Sequence, residues 1–421
     1  MVDPTTSTVY YSLESRPKQK GHGVLVQVKK AGGKQDVTDP VKWDVRTGVH
    51  EYGGAAATVF DGTAYFSNRT DGKVYRVKLD GGSNQPTPIT PSKSLWKLCQ
   101  VDADCSIAPP KDHEYRYAGL AVYPKDPKFI VAIFEEHMPG NKPQEVANKL
   151  CVIKEGANPE DLHPGNPTQD FYGPPAFSKE GTYIAWQQWS LPDMPWDQAK
   201  IYVAKVSADS TTFKFSKTWA VPFPDPRLEA EPVSLAYPNW SNDNTLIFTS
   251  DVSGYVNPWK YDASKKDTPP SPVFSEGSKV EQDFGCPMWS LHFFPFAVLD
   301  AEHALFIGSD NGRDKLYSVN LITPGSPKEL PTQPDYVVID GLRLLEKEID
   351  GKFTVVFAGT QVDEATKLVL LQVQKNRDGS LSASVTNFES AAKETQLVPK
   401  KWISTPTATH IEGYDGHVYV V

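Results

Sequence analysis

The sequence predicts one all-β protein, a β-propeller that extends over residues 1–421 as a single domain. Its strands are short, rich in β-branched and aromatic residues, and separated by Asp-Gly, Gly-Gly and Asn-Gly turns. Helical periodicity is nearly absent, and only residues 143–149 and 388–394 are compatible with short helical turns. A unit of four strands recurs about every 45 to 65 residues, which matches the blade of a propeller.

The clearest unit covers residues 52–91. Its first strand, 53–60, is rich in small residues, as expected for the crowded wall of a central channel. Asp-Gly and further turn residues separate it from a second strand at 63–67 and a third at 74–77. A weak fourth strand at 88–90 completes the predicted blade.

Further units are predicted to begin near residues 117, 173, 235, 293 and 340. The first unit is incomplete, because 9–13 and 23–28 resemble a second and a third strand, with little sequence before them for an innermost one. We therefore predict that the C-terminal segment, 408–421, closes blade one, since propellers need a closed ring to avoid free edges. The sequence thus predicts seven blades, with six as the alternative.

Charge and hydropathy exclude several partners. The net charge is −9 and no stripe of Lys and Arg is present, so nucleic acids and anionic membranes are not predicted as partners. No run of 18 apolar residues exists, and the first residues lack the basic and apolar regions of a signal peptide. On this basis we expect a cytoplasmic protein.

Neither a cofactor nor a metal is predicted. The four cysteines include Cys99 and Cys105, which are close enough to bridge a loop, although free thiols are favoured in a reducing compartment. No C-x-x-C pair occurs, the nine histidines are scattered without a three-ligand pattern, and no glycine-rich loop suits a phosphate.

Several segments resemble the propeller of prolyl-oligopeptidase-type serine peptidases, in the dipeptidyl-peptidase and acylaminoacyl-peptidase branch. They are residues 45–54 (VRTGVHEYGG), 59–68 (VFDGTAYFSN), 185–197 (AWQQWSLPDMPWD) and 281–289 (EQDFGCPMW). Residues 401–404 (KWIS) resemble the stretch where that propeller meets the hydrolase domain. The resemblance extends over essentially the whole chain, and it implies a propeller fold without implying activity.

The family carries its catalytic Ser, Asp and His on a C-terminal α/β-hydrolase domain, which this sequence lacks. A nucleophile elbow requires G-x-S-x-G, and no such pentapeptide occurs. The nearest in appearance, residues 308–312 (GSDNG), has its serine misplaced and is typical of a hairpin turn. We therefore expect no serine peptidase activity from this chain.

Two polar clusters precede innermost strands and are expected at one rim of the channel. The first contains Arg46, His50, Glu51 and Tyr52, where a His–Glu pair suits acid–base chemistry and an Arg suits a carboxylate. The second contains Tyr115 and Arg116, beside His113 and Glu114. The alternative for the first cluster is bonding to neighbouring loops or former contact with a hydrolase domain, and the alternative for the second is salt bridging between strands.

Aromatic residues supply the remaining candidates for a funnel that binds a ligand. Trp189, Trp196 and Trp289 lie in loops or at motif ends, so we expect them to be exposed. Tyr172 and Phe284 are further candidates, although most aromatic residues of a propeller pack between blades. Asp283 and His292 form a weak candidate acid–base pair, for which an isolated, satisfied histidine is the alternative.

Three functions remain open at this stage, because a propeller fold alone does not define one. The favoured hypothesis is a stand-alone propeller that binds a small molecule or peptide in its funnel, with or without non-hydrolytic chemistry such as cyclisation or isomerisation. The second is a protein–protein interaction module that uses the face which meets the hydrolase in the family. The third is a fragment or split subunit of a serine peptidase.

Overall fold

The computed structural model of the chain contains seven antiparallel sheets of four or five strands, each of which is one blade of a propeller, and a separate two-stranded sheet near the C-terminus. The structure describes residues 1–3, 6–29, 33–79, 85–91, 114–162, 170–223, 232–275, 280–387, 399, 402–404, 409–412 and 418–420. Strands follow chain order from the innermost to the outermost position, and the fourth blade has its inner strand split in two. The prediction of a seven-bladed propeller is confirmed, and the six-bladed alternative is wrong.

The first four blades contain seventeen strands. They are β1 (Val2–Asp3), β2 (Thr6–Arg16), β3 (His22–Lys29), β4 (Lys34–Asp36), β5 (Ala57–Phe60), β6 (Thr63–Asn68), β7 (Lys73–Lys78), β8 (Thr87–Pro88), β9 (Glu114–Val122), β10 (Phe129–His137), β11 (Ala147–Lys154), β12 (Glu160–Asp161), β13 (Phe171–Tyr172), β14 (Ala176–Phe177), β15 (Tyr183–Trp189), β16 (Lys200–Ala208) and β17 (Phe213–Ala220). Blades two to seven each begin within a few residues of their predicted starts.

The remaining three blades contain twelve strands, and a separate hairpin follows. They are β18 (Leu235–Trp240), β19 (Thr245–Ser250), β20 (Asn257–Asp262), β21 (Ser271–Pro272), β22 (Phe296–Val298), β23 (His303–Asp310), β24 (Arg313–Asn320), β25 (Lys328–Glu329), β26 (Val338–Ile349), β27 (Lys352–Gln361), β28 (Glu364–Lys375), β29 (Leu381–Asn387), β30 (His410–Glu412) and β31 (Val418–Val420).

Two short 3₁₀ turns, Pro17–Gln19 and Pro143–Glu145, and the single 3₁₀ residue Trp402 are the helical conformation found in the part of the chain that the structure describes. The second covers the start of the helical turn predicted at 143–149, where β11 takes over at Ala147. The turn predicted at 388–394 lies outside the described residues, as do Cys99, Cys105 and His113.

The core lies between neighbouring blades, because each sheet packs both of its faces against another sheet. The second strand of a blade therefore has no face exposed to solvent, and its sequence is a nearly continuous apolar run. In β10, for example, the first eight residues are all buried. Trp186, from the second strand of blade four, is the largest fully buried side chain among the described residues. It lies in one cluster with Ile133 and Val152 of blade three.

Blade one differs from its prediction. Its innermost strand is β1, only two residues long, which pairs with β2, whereas β30 and β31 pair with each other. The prediction that the C-terminal segment closes blade one is therefore wrong. A two-residue strand is sufficient here because the Asp3 carboxylate accepts hydrogen bonds from the amides of Asp61 (3.0 Å) and Gly62 (2.7 Å) in blade two.

The ring closes where blade one packs side by side with blade seven. Val24, Val26 and Val28 of β3 are buried against Leu368 of β28. Val2 of β1 and Leu368 also cover the cluster formed by Leu345, Val356 and Leu370 of blade seven. Apolar packing thus joins the first and last blades, and none of the described strands is shared between them.

Strand direction decides which connections share a face. Since the strands of a blade alternate in direction, the links from one blade to the next emerge on the same face as the turns between second and third strands. We call this face the rim face. It includes the segment 37–56, which links blades one and two, the described parts of the segment 273–295 (273–275 and 280–295), which links blades five and six, and the turn at 190–199. These segments carry most of the predicted candidates.

Candidate functional site

The segment 37–56 brings His50 and Glu51 over blades three and four. Both residues have positive φ angles, 54° and 67°, so the backbone turns sharply here. The turn directs the His50 amide to the Glu135 carboxylate, to which it donates a hydrogen bond of 2.7 Å. Blade two is thereby joined to the end of β10 in blade three.

Glu135 is the centre of a polar cluster on the rim face. Its side chain is only 2% exposed, and His137 Nε2 lies 2.9 Å from Glu135 Oε2. Arg116 Nη1 and His50 Nε2 each lie 4.0 Å from the carboxylate. Burial lowers the pKa of His50 to about 4, with the Glu135 charge opposing the shift, so His50 is neutral at physiological pH.

Arg116 connects this cluster to the segment 37–56. Its Nη1 donates to the Gly48 carbonyl oxygen and to Glu51 Oε1, both at 2.7 Å, and its Nε donates to Glu114 Oε1 at 3.1 Å. The predicted meeting of the two polar clusters at one rim therefore occurs. Burial and the two glutamates act oppositely on the pKa of Arg116, and the net shift is upward, which keeps it cationic.

An aromatic layer covers the His50 side of the cluster. Phe171 and Trp189 stack with ring centroids 5.6 Å apart, and His50 meets both rings edge-on at 5.2 and 5.4 Å. The prediction that Trp189 is exposed is wrong: its exposure is 7%. It forms the end of β15, where Phe171, His50 and Met288 cover it.

Three other aromatic residues form a group that we call the aromatic patch, Tyr52, Trp196 and Trp289. Tyr52 and Trp289 are exposed, whereas Trp196, which was predicted to be exposed, is half-buried. Trp289 is 52% exposed and Tyr52 is 64% exposed. The Trp196 and Trp289 ring centroids are 4.4 Å apart, and Tyr52 meets Trp289 edge-on at 6.0 Å. The patch joins blades two and four to the segment 273–295, and Glu51 lies directly beside it in sequence.

Asp283 and His292 do not form a pair. Asp283 Oδ1 accepts a hydrogen bond of 2.8 Å from the Val256 amide, whereas His292 Nδ1 lies 2.6 Å from Ser290 Oγ. The Asp283 charge nevertheless adds to the effect of burial in raising the pKa of Asp251. The blade-five side of the rim face is thus acidic.

The other predicted candidates lie away from the aromatic patch. Arg46 points to blade one, where its Nη1 donates to the Gly21 carbonyl oxygen at 3.4 Å. Tyr115, Tyr172 and Phe284 are buried in blade cores, so their rings offer no exposed surface. Tyr115, for example, packs against Phe134 at 5.3 Å.

Glu135 and His137 were missed at the sequence level. The available signal was a run of apolar residues, FIVAIF at 129–134, followed directly by Glu135, Glu136 and His137. Charged residues that end a buried second strand must emerge on the rim face of a propeller. That rule identifies both residues once the blade register is known.

Neither a metal cluster nor a membrane span is found in the described part of the chain. No group of three or more His, Cys, Asp or Glu residues there has the geometry to hold a metal ion. No helix within those ranges is long and apolar enough to cross a membrane. Cys151 is buried and Cys286 is exposed, and both are free thiols.

Comparison with solved structures finds the fold of this chain in several peptidases. It matches puromycin hydrolase with a TM-score of 0.76 and 19% identity, over 99% of this chain and 57% of that one. A puromycin-hydrolyzing peptidase of Mycobacterium tuberculosis matches with a TM-score of 0.70 and 22% identity, over 98% and 57%. A prolyl endopeptidase matches with a TM-score of 0.57 and 11% identity, over 98% of this chain and 52% of that one. No protein-family model and no curated protein matches the sequence.

The predicted resemblance is therefore confirmed for the fold, since identities this low show shared architecture. The chain spans little more than half the length of these peptidases. Its described ranges contain antiparallel blades and no parallel sheet flanked by helices, which is the architecture of a hydrolase domain. The chain is similar to the propeller part of puromycin hydrolase.

Proposed function

We propose that this propeller binds a short peptide, or a small aromatic molecule that carries an amine, on its rim face. We also propose that the chain has no peptidase activity of its own. The observation that supports the binding proposal is the aromatic patch, because Trp289 and Tyr52 are large and exposed and their rings meet edge-on. Ordered exposed aromatic residues are uncommon on surfaces without a binding role.

Charge favours an amine-bearing ligand. Glu51 follows His50 at the edge of the patch, and its side chain is 73% exposed. Its cationic partner Arg116 also lies close to the carboxylates of Glu114 and Glu135, so three carboxylates share one guanidinium. A ligand ammonium gains from the exposed Glu51 carboxylate and from the faces of the indole rings.

Puromycin is a suitable probe. Solved structures that are similar to this propeller include a puromycin hydrolase and a puromycin-hydrolyzing peptidase. It carries an amine and aromatic rings, which are the two features that the patch and Glu51 would recognise. A titration with puromycin tests the chemical class of the ligand. The natural ligand need only share the amine and the aromatic rings.

Tryptophan fluorescence during a puromycin titration tests the proposal. We expect saturable quenching, and we expect Trp289→Ala to weaken binding about tenfold, since one aromatic contact contributes about 1 kcal/mol or somewhat more. Ile322→Ala is the matched control, because Ile322 is an exposed apolar residue in the β24–β25 connection on the opposite face. Absence of saturation, or equal losses in both variants, would contradict the proposal.

The same incubation tests the absence of peptidase activity. The chain contains no G-x-S-x-G sequence, so no nucleophile elbow is available to cleave the amide bond. We expect unchanged puromycin after prolonged incubation, measured by mass spectrometry. Turnover that scales with protein concentration and survives further purification would refute this part of the proposal.

A second candidate function uses the same face to dock an α/β-hydrolase domain, in the same polypeptide or in a separate one. The observation in its favour is that β29, the last blade strand, runs towards the rim face and ends there at Asn387. A bound hydrolase domain would cover Trp289 and reduce its quenching by acrylamide. Unchanged quenching in the presence of such a domain would exclude docking at the patch.

Non-hydrolytic chemistry, cyclisation or isomerisation, depends on Glu135. It is a buried carboxylate beside two histidines, at 2.9 Å from His137 and 4.0 Å from His50, and such an arrangement suits proton transfer. An isomer of unchanged mass, formed from a bound ligand and lost in Glu135→Gln, would support this chemistry. A product that forms equally with the variant would exclude it.

A further inference from the structure

We propose that residues 284–294 form a strap that closes the rim-side mouth of the propeller channel, hinged on blades five and six and latched to the segment 37–56. The proposal is independent of any ligand. It arises from one contact between two segments that leave the ring at distant points, the Leu291 amide and the Gly53 carbonyl oxygen.

The first hinge is firm. Phe284 is fully buried, and its ring meets Phe274, Phe306 and Tyr317 at centroid distances of 5.2, 6.3 and 5.3 Å. Its amide donates a hydrogen bond of 2.7 Å to the Val256 carbonyl oxygen of blade five. The strap therefore starts from a point that blades five and six hold together.

The second hinge is the start of blade six. Phe296 stacks on Phe306 with centroids 4.6 Å apart, and the Ile307 amide donates to the Pro295 carbonyl oxygen at 2.8 Å. The guanidinium of Arg343 in blade seven lies over the Phe294 ring, 2.8 Å from its centroid. Both ends of the strap are thus fixed on one side of the ring.

The middle of the strap is held at the other side by a small latch. The Leu291 amide and the Ser290 hydroxyl both donate to the Gly53 carbonyl oxygen, at 3.1 and 3.2 Å. The Leu291 side chain is buried in the cluster of Val49, Ala118 and Trp186. Gly54 permits the approach, because a Cβ atom there would lie 2.7 Å from the Leu291 nitrogen.

Ring geometry turns this contact into a closure. The strap leaves between blades five and six, while the segment 37–56 connects blades one and two, on the opposite part of a ring of seven. Two rim-face connections from opposite sides can touch only across the mouth between them. Entry to the channel from this face therefore requires release of Leu291 from its cluster, together with two hydrogen bonds.

Hydrogen–deuterium exchange of the ligand-free protein tests the strap. In Leu291→Ala we expect peptides within 286–293 to exchange about tenfold faster or more, because the loss of a buried leucine side chain weakens the latch. Peptides that cover 282–285 and β23 should keep their wild-type rates, since the hinges are untouched. Leu299→Ala is the matched control, because Leu299 is equally buried near the second hinge but packs into the blade-seven cluster.

The outcomes separate cleanly. Faster exchange confined to the strap in Leu291→Ala, and absent from the strap in Leu299→Ala, supports a hinged closure. Unchanged strap exchange in Leu291→Ala overturns the proposal, as does acceleration spread equally over all blades, which would make the segment a structural brace of the whole ring. Puromycin plays no part in this measurement, so failure of the binding proposal would not alter its result.

Discussion

Acidification should destabilise this protein through one buried histidine. Burial lowers the pKa of His50 to about 4, whereas an unfolded histidine titrates at about 6.5. Between these two values the unfolded chain binds a proton that the folded chain does not bind. Stability contributed by neutral His50 is therefore complete above pH 6.5 and is lost as the pH falls towards 4.

The size of the effect follows from the two pKa values. At pH 5 the unfolded state has gained a proton in nearly every molecule, while folded His50 is still mostly neutral. Linkage then gives a loss of about 2 kcal/mol between pH 7 and pH 5. The opposing charge of Glu135, whose carboxylate lies 4.0 Å from His50 Nε2, is already included in the lowered pKa of His50.

Urea unfolding at pH 7 and pH 5 measures the loss, with His50→Asn as the comparison variant. Asparagine tolerates the φ of 54° at this position, and it keeps the backbone amide that donates to Glu135. The variant should lose about 2 kcal/mol less than the wild type between the two pH values. Identical pH dependence in both proteins would refute the assignment of a buried, neutral His50.

Two further predictions concern packing. Leu370→Ala removes a buried side chain from the seam between blades one and seven. It should lower the free energy of unfolding, measured in urea, by about 2–5 kcal/mol. A loss near zero would mean that this seam does not close the ring. Gly181→Ala should destabilise more than Gly254→Ala, because both glycines have positive φ, at 66° and 89°, but only the first would place its Cβ atom 2.7 Å from Tyr123. Equal thermal shifts in the two glycine variants would contradict this packing account.

Blade architecture could be predicted from the sequence because each blade repeats the same local pattern. The strands predicted at 63–67 and 74–77 lie inside β6 and β7, and the unit predicted to begin near 235 starts with β18 at Leu235. Short strands, turn glycines and apolar runs are local features, so they can be recognised without knowledge of the rest of the chain.

Ring closure could not be predicted, because it depends on contacts between the two ends of the sequence. β1 is only two residues long and carries no visible strand pattern. Its role comes from the Asp3 carboxylate, which is bonded to amides 58 and 59 residues away. The C-terminal segment has a better strand pattern, yet β30 and β31 pair only with each other in the described structure.

The candidate site was predicted in part. The polar clusters of Glu51 and Arg116 do meet, since both precede innermost strands and must emerge on one face. Trp189 was expected to be exposed to solvent because it lies at the end of a motif, but the strained turn at His50 covers its ring. Neither this turn nor the approach of Leu291 to Gly53 leaves a pattern in the local sequence.

Amide exchange with and without saturating puromycin tests the central claim most directly, because it locates the ligand as well as detecting it. The account predicts protection in three rim-face segments, 48–54, 189–197 and 285–293, and unchanged exchange in the connection between β24 and β25. Protection confined to the opposite face, or no protection anywhere, would show that the rim face of this propeller is not a binding site for amine-bearing aromatic ligands.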